Sequence, residues 1–453
     1  MKQGRSTDGI LLLVALFSLA PLAAETWATD AATMKDLRGV VQCEFNHDAS
    51  RVLSRTRGGD IGLWDVASGA PISEELTRLT HATCLIVSPD HRRVLLGRAE
   101  SARVFDASSG AVLSPAWPVR MQPEVKKSAA LSPRGDQAVI FEEKDTSIWN
   151  VESGAQIKKI SLRAGPYEEA SPDAIFTQAG DACFLMDPDG TVTRYQTKNW
   201  VKKGKPMRHP RSEFSYDFAC NASADGQWLA TFDGAGENGP KCSLQIWNAK
   251  TGQPLGKPSV GVNGFVGYFA PRANQIVIAP ARGEGEIRDL PSLKITGRLT
   301  GFDDISGPQV VLSPDGKWIL SWDSAHTLNL LEAKTGKIAA SIPGTADISA
   351  VFFAPDSAAS YVLYDSPDGS AEQYSDNQIT RLTLPDMKIT GSIRALEITQ
   401  DISISPDGNR LLLRFGTPDA PIVHAVAGRA HKPVPPASAG RHWPAAKLMA
   451  HRS

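Results

Sequence analysis

Cysteine is scarce. Cys43, Cys84, Cys183, Cys220 and Cys242 are the only five in 453 residues. An odd, sparse set with no CxxC spacing excludes a disulfide-built scaffold. Cys43, Cys84, Cys183 and Cys220 lie in apolar, strand-like runs and read as small buried hydrophobes. Net charge is also nearly absent, at −1. The chain therefore has no global field to draw in nucleic acid or an anionic membrane. No GxSxG or HExxH motif occurs, and no run beyond the first 24 residues is long and apolar enough to span a bilayer. Hydrophobic residues make up 42%, which permits a sizeable core and excludes wholesale disorder.

The N-terminus carries the one address-like signal. Lys2 and Arg5 precede an apolar run from Ile10 to Leu22, with Ala23 and Ala24 after it. Charge, a short apolar core and small residues form the pattern of a secretory signal peptide over 1–24, cleaved after Ala24. An uncleaved anchor is the alternative. The mature chain is expected to be exported, periplasmic or extracellular, and monomeric.

What is abundant is one phrase. Turns begin at Asn46, Ser88, Ser132, Thr177, Ser223, Ala270, Ser313, Ala354 and Ser405. The best preserved are Ser88-Pro89-Asp90, Ser313-Pro314-Asp315 and Ser405-Pro406-Asp407. Their first residues are spaced by 42, 44, 45, 46, 47, 43, 41 and 51. Each turn is followed by an apolar strand, a second turn, and a strand ending in an aromatic and a polar residue. Trp64-Asp65, Trp149-Asn150 and Trp247-Asn248 are such pairs. A glycine stands five residues beyond the aromatic in one subtype (Gly69, Gly252, Gly336) and nine beyond it in another (Gly204, Gly297, Gly391).

Proline presets φ for a turn, Asp bonds nearby backbone, and Gly takes φ > 0. The unit is thus a meander of three to four short antiparallel strands. One such sheet cannot cover both of its apolar faces alone. Copies set around an axis cover one another.

The order of strand, SPDG, strand, strand ending in Trp-Asp, then Thr/Ser-Gly resembles the WD-repeat propeller family and its divergent bacterial relatives. The resemblance spans about residues 38–427. It implies an all-β fold: a single β-propeller of eight or nine four-stranded antiparallel blades. The last copy has a third strand at Pro421–Val426 and no apolar fourth; the segment Met34–Arg38, at the end of the linker 25–37, is the candidate ring-closing strand. The family often uses a Gly-His pair in a hydrogen-bonded tetrad with the Trp. Only His81 stands near such a place, so blades held mainly by apolar packing are expected. Residues 428–453, basic, proline-rich and free of acids, read as a disordered tail.

Other candidates are weak. Gly234-Ala235-Gly236-Glu237-Asn238-Gly239 spells GxGxxG but leads into a strand, not a helix, so it reads as a surface loop. Asp323, Ser324 and His326 hold the letters of a catalytic triad within one turn. Asp187, Asp189 and Gly190 suggest a hairpin more than a calcium loop. Asn221-Ala222-Ser223 is a formal glycosylation acceptor on a core strand. Lys198, Lys202, Lys203, Lys205, Arg208 and Arg211 form the densest basic stretch, interleaved with Trp200 and His209.

The short SPDG and Thr-Gly turns should share one side of the ring, and loops of variable length the other. Binding tends to sit on variable loops carried by a rigid scaffold. The candidate interaction face is therefore the second side, around Arg208, Arg211, Asp233, Glu237, Asp303 and Asp304. No catalytic, metal-ligating or cofactor-binding residues are assigned. The resemblance implies a non-catalytic scaffold for a protein, peptide or glycan partner. The alternative is a propeller enzyme of lactonase or hydrolase type with a metal in the central channel. A quinone-cofactor dehydrogenase is disfavoured, since Ser73, Ser114, Lys158, Gly256 and Ala340 stand where that type places tryptophans.

Overall fold

Period-two strands punctuated by tight turns form nine successive antiparallel sheets. The structure is a computed structural model. It describes Leu16–Phe17 and residues 40–428, apart from segments within 73–78, 122–127, 166–170, 211–214, 236–241, 262–264, 272–273, 281–282, 303–309, 345–346, 365–376, 396–398 and 418–419 and positions 324 and 409. Apart from a helical position at Leu76, every regular element among the described residues is a strand.

Each sheet is one blade. The innermost strands are Val40–Phe45, Cys84–Val87, Ala129–Leu131, Asp173–Phe176, Ser215–Ala222, Phe265–Phe269, Val310–Leu312, Ile348–Phe353 and Thr399–Ile404. Six middle blades hold four strands in sequence order. Blades one and two hold three. Their fourth position is filled by isolated bridges, Trp64 to Pro71, Phe105 to Val112 and Ala102 to Trp117. The expectation of four regular strands throughout is corrected there: Pro71 and Pro115 lack the N–H a ladder needs.

Burial grades outward along each blade. Ala182–Met186, the second strand of blade four, is buried at every position, because neighbouring blades cover both of its faces. The fourth strand of the same blade, Val201–Arg208, is exposed at all positions but Met207.

Apolar side chains weld each blade to the next. Leu53 and Leu63 meet Leu85, Val94 and Phe105. Leu95 and Val104 meet Leu131, Ala138 and Ile140. Val139, Phe141 and Ile148 meet Cys183, Leu185 and Tyr195. The series continues through Phe184 with Leu229, Trp228 with Ile276, Val277 with Ile319, and Leu320 with Val362. A large aliphatic or aromatic side chain buried this way contributes about 1.5–3 kcal/mol. Blade eight reaches blade nine through the Tyr361 hydroxyl, which donates to the Gly408 carbonyl at 3.3 Å. Blade nine reaches blade one through Arg410, which donates to the Ala49 carbonyl. The described residues form nine blades in a closed ring.

The repeated phrase has a local cause. Ser88 Oγ donates to Asp90 Oδ1 at 2.6 Å and accepts from the Arg93 backbone N–H at 3.0 Å. Ser313 with Asp315 (2.7 Å) and Ser405 with Asp407 (2.6 Å) repeat this. The residue closing the turn has positive φ, whether glycine, as Gly316 at 73°, or not, as His91 at 58°. Asp65 accepts from both the N–H and the hydroxyl of Ser68 at 2.8 Å, fixing the turn before Gly69. Asn150 does the same for Ser153.

The two subtypes also differ for a reason. A Cβ on Gly297 would lie 2.4 Å from the Thr335 carbonyl oxygen, and one on Gly204 2.7 Å from that of Lys250. The late glycine lets an outer strand press against the Thr-Gly turn of the following blade.

The candidate ring-closing segment, Met34–Arg38 with the linker 25–37, lies outside the described residues. The pair Leu16–Phe17 runs parallel to Ala427 and Gly428 on the outer edge of Ala420–Gly428. These two residues fall inside the segment read as a signal peptide, so the pairing belongs to the uncleaved chain.

Candidate functional site

The chemistry-bearing side chains gather at two places on the described surface and its seams. The first is the seam between blades four and five. His209 follows the outer strand Val201–Arg208 and turns inward beneath blade five. Thr231 and Asp233 lie on Trp228–Ala235, and Ser243 and Trp247 on Cys242–Asn248.

The groups form one directional chain. Trp247 Nε1 donates to Thr231 Oγ1 at 2.9 Å. Thr231 Oγ1 lies 2.7 Å from His209 Nδ1, and His209 Nε2 lies 2.8 Å from Ser243 Oγ. Ser243 Oγ donates to Asp233 Oδ1 at 2.8 Å, and the Ser243 backbone N–H donates to the same oxygen. One proton on the imidazole, at Nε2, satisfies every member: each hydroxyl accepts one bond and donates the next. His209 and Asp233 are each 2% exposed.

Serine, histidine and aspartate occur here together, yet the wiring is not that of a nucleophile. In a catalytic triad the carboxylate holds the far imidazole nitrogen and frees the serine for its substrate. Here the carboxylate holds the serine and a threonine holds Nδ1. The side chains of His209 and Asp233 are 0% and 1% exposed, which leaves no approach for a reacting group. The arrangement is a brace.

This corrects two sequence expectations. Asp233 belongs to no exposed interaction face; burial and its bonds to Ser243 make it structural. The tetrad-like histidine is His209, whereas His81 is exposed and makes no such network. Blade one keeps one link of it, Trp64 Nε1 donating to Ser54 Oγ at 2.9 Å. Blade three replaces it with an indole stack, Trp117 on Trp149, with ring centroids 5.4 Å apart.

Of the other candidate-face residues, Arg208 is exposed at the end of its outer strand. Arg211, Glu237, Asp303 and Asp304 lie outside the described residues. Lys198, Lys202, Lys203 and Lys205 are exposed along blade four's rim. The aromatic between them, Trp200, is not: φ of 52° turns it into the core, where Nε1 donates to Gln137 Oε1 at 3.0 Å. His209 is likewise buried, so this stretch is a solvated outer strand with no aromatic platform.

The second place is a small cavity of about 40 Å³ between blades three and four. Ser161, Arg163, Asp187, Thr193, Tyr195 and Lys202 line it. It has room for a few waters. Burial, with Asp189 next to it, raises the Asp187 carboxyl to about 6 against the pull of Arg163. Burial and the Asp187 charge raise the Tyr195 hydroxyl to about 12. The Asp187–Gly190 segment is a tight turn closed by Gly190 N–H to Asp187 carbonyl, 2.9 Å.

The remaining candidates also resolve into turns and core. Asp323 accepts from Thr327 N–H at 2.8 Å, and His326 pairs with Asp347 at 2.8 Å, so they brace a hairpin; Ser324 lies outside the described residues. Asn221 donates to the Gly267 carbonyl of the next blade at 3.1 Å. Cys84 and Cys183 are buried free thiols, Cys43 is buried and Cys220 is partly buried. Burial pushes the Cys84 and Cys183 thiols above their ordinary range. Among the described residues no group of three metal-ligating side chains occurs.

No protein-family model and no curated protein matches the chain. Solved structures do. A eukaryotic initiation factor aligns at 15% identity over 82% of this chain and 90% of its own, with a TM-score of 0.59. The chain is a WD-repeat-like β-propeller in fold. Two further structures align more loosely. The C-terminal WD40 domain of Sif2 shares 15% identity over 77% of this chain and 97% of its own, TM-score 0.48. BamB from Moraxella catarrhalis shares 11% over 84% and 95%, TM-score 0.46. At these identities the likeness is one of fold. No helix among the propeller's described residues is long and apolar enough to cross a membrane.

Proposed function

We propose that this propeller is an exported, non-catalytic platform whose variable-loop face binds a protein, a peptide or a glycan. One observation carries the reading. The described residues that spell catalytic or metal-binding words in the sequence are engaged in holding the scaffold: His209 and Asp233 in the brace, Asp323 and Asp187 in hairpin turns. The ring that results is rigid, and binding tends to sit on the loops that such a scaffold carries. Export rests on the signal-like N-terminus. Cleavage after Ala24 removes Leu16–Phe17 from the edge of blade nine.

Two measurements test this together. Affinity capture from the envelope fraction of the exporting cell is expected to return one abundant partner with the purified propeller. Stoichiometric calcium or zinc retained through dialysis would instead favour the hydrolase. N-terminal sequencing of the mature protein is expected to begin at Glu25; an intact Met1 would remove the export reading.

A further inference from the structure

The cavity between blades three and four joins groups that the scaffold leaves unused. Arg163 follows the outer strand of blade three, while Asp187, Thr193, Tyr195 and Lys202 belong to blade four. Tyr195 is 2% exposed and Thr193 9%, yet neither hydroxyl has a hydrogen-bond partner among the described residues. The Asp187 charge acts on Tyr195 without a bond between them. Arg163 Nε stands 3.7 Å from Asp187 Oδ2, beyond a hydrogen bond. These groups face one another across the cavity instead of closing it. The Arg163 side chain is 54% exposed at its mouth, and that of Asp187 is 14% exposed inside.

We infer that this cavity binds one carboxylate group, held between the Arg163 guanidinium and the Lys202 ammonium, with the Tyr195 hydroxyl donating to it. The balance of donors points there. Arg163, Lys202, Tyr195 and Thr193 all offer protons, and Asp187 is the one carboxyl among the lining residues. The occupant must be rich in acceptors and negative. A volume of about 40 Å³ suits a single planar carboxylate, whose shape a guanidinium matches. Phosphate would bring a second charge against Asp187 and Asp189. Ile160 and Leu185, also in the lining, offer an aliphatic stem an apolar wall.

Asp187 sets the pH at which the site is ready. Charged, it repels the occupant; protonated, it donates to it. It faces Asp189 and Tyr195 of its own blade, Lys202 of the outer strand and Arg163 of blade three, and its carboxyl lies at about 6. Asp145, which accepts from the lining Ser161 at 2.9 Å, is also paired with Lys159 at 3.2 Å. Binding therefore takes up a proton and strengthens as pH falls through 6. The site does not depend on the platform reading, since a free short-chain acid and an acidic side chain of a partner carry the same group.

An NMR titration of the propeller with sodium propionate, and separately with an end-blocked peptide holding one central glutamate, is the test, run at pH 5.5 and 7.5. The expected result is saturable shifts at the Leu185, Thr193 and Tyr195 amides, with binding at least about tenfold tighter at pH 5.5. The tighter probe identifies the source of the carboxylate. Tyr195→Phe should keep the unfolding midpoint and weaken binding at least about threefold. Asp187→Asn should bind equally at both pH values. No saturation by about 50 mM of either probe overturns the inference. So does binding indifferent to Tyr195→Phe, binding by the unaltered protein that does not change with pH, or inorganic phosphate binding as tightly as propionate.

Discussion

The Arg410 guanidinium donates to the carbonyl oxygen of Ala49, 361 residues earlier in the chain. Ala49 closes the first tight turn with a φ of 55°, and Arg410 opens the second strand of the last blade. The first and last units of a repeat array have no covalent reason to meet. Their contact turns nine stacked sheets into a ring whose every blade has two neighbours.

Removing that contact should loosen the whole ring. Arg410→Met is expected to destabilise by about 1–3 kcal/mol, the range for a charged hydrogen bond lost to a carbonyl. Urea denaturation should still show one transition at a lower midpoint with an unchanged slope. A separate early transition would mean that blade nine unfolds alone.

The brace at the blade four–five seam should behave as one unit. His209→Ala removes one bond from each of the Thr231 and Ser243 hydroxyls and opens a cavity in the core, and should cost about 2–4 kcal/mol. Thr231→Val should cost less once His209 is already gone. A double-mutant cycle from denaturation midpoints checks this; additive losses would show the groups to be independent.

How much of this was legible in the sequence depends on distance along the chain. The nine turns, their strands and the aromatic-polar pairs repeat locally and mark the blades without a structure. His209 was hidden because its partners, Thr231, Ser243 and Asp233, lie in the next repeat, and because it stands among surface cations. No Gly-His pair announces it. Asp233 looked like a loop residue because a glycine-rich segment follows it; only the strand register turns it inward. Trp200 looked like a surface aromatic, and a left-handed backbone angle reverses its direction. The partial fourth strands of blades one and two were foreshadowed by Pro71 and Pro115.

The subtype glycine should be irreplaceable. Gly297→Ala puts a Cβ 2.4 Å from the Thr335 carbonyl oxygen, and backbone must move to admit it. A loss of about 1–3 kcal/mol is expected in thermal or chemical denaturation. An unchanged midpoint would show that adjacent outer strands do not press together as described.

Asp187 gives the ring a pH dependence of known sign. Its carboxyl is raised from 3.8 to about 6, chiefly by burial and next by Asp189. The folded state therefore holds this proton more tightly than the unfolded one. The stability it contributes is full below about pH 4 and is lost as pH rises through about 6. Asp187→Asn should accordingly raise stability at pH 7.5, by up to about 1 kcal/mol given solvent screening, and change nothing near pH 4. Equal effects at both pH values would contradict this.

Closure of nine blades into one cooperative ring is the claim on which the platform reading stands, and deletion of residues 399–428 tests it most directly. Urea unfolding of the truncated chain should lose far more than one blade's share of stability, because blades eight and one are both left with open faces. A truncated protein that keeps the parent midpoint, with a slope reduced only by one blade's surface, would show an open array instead of a ring.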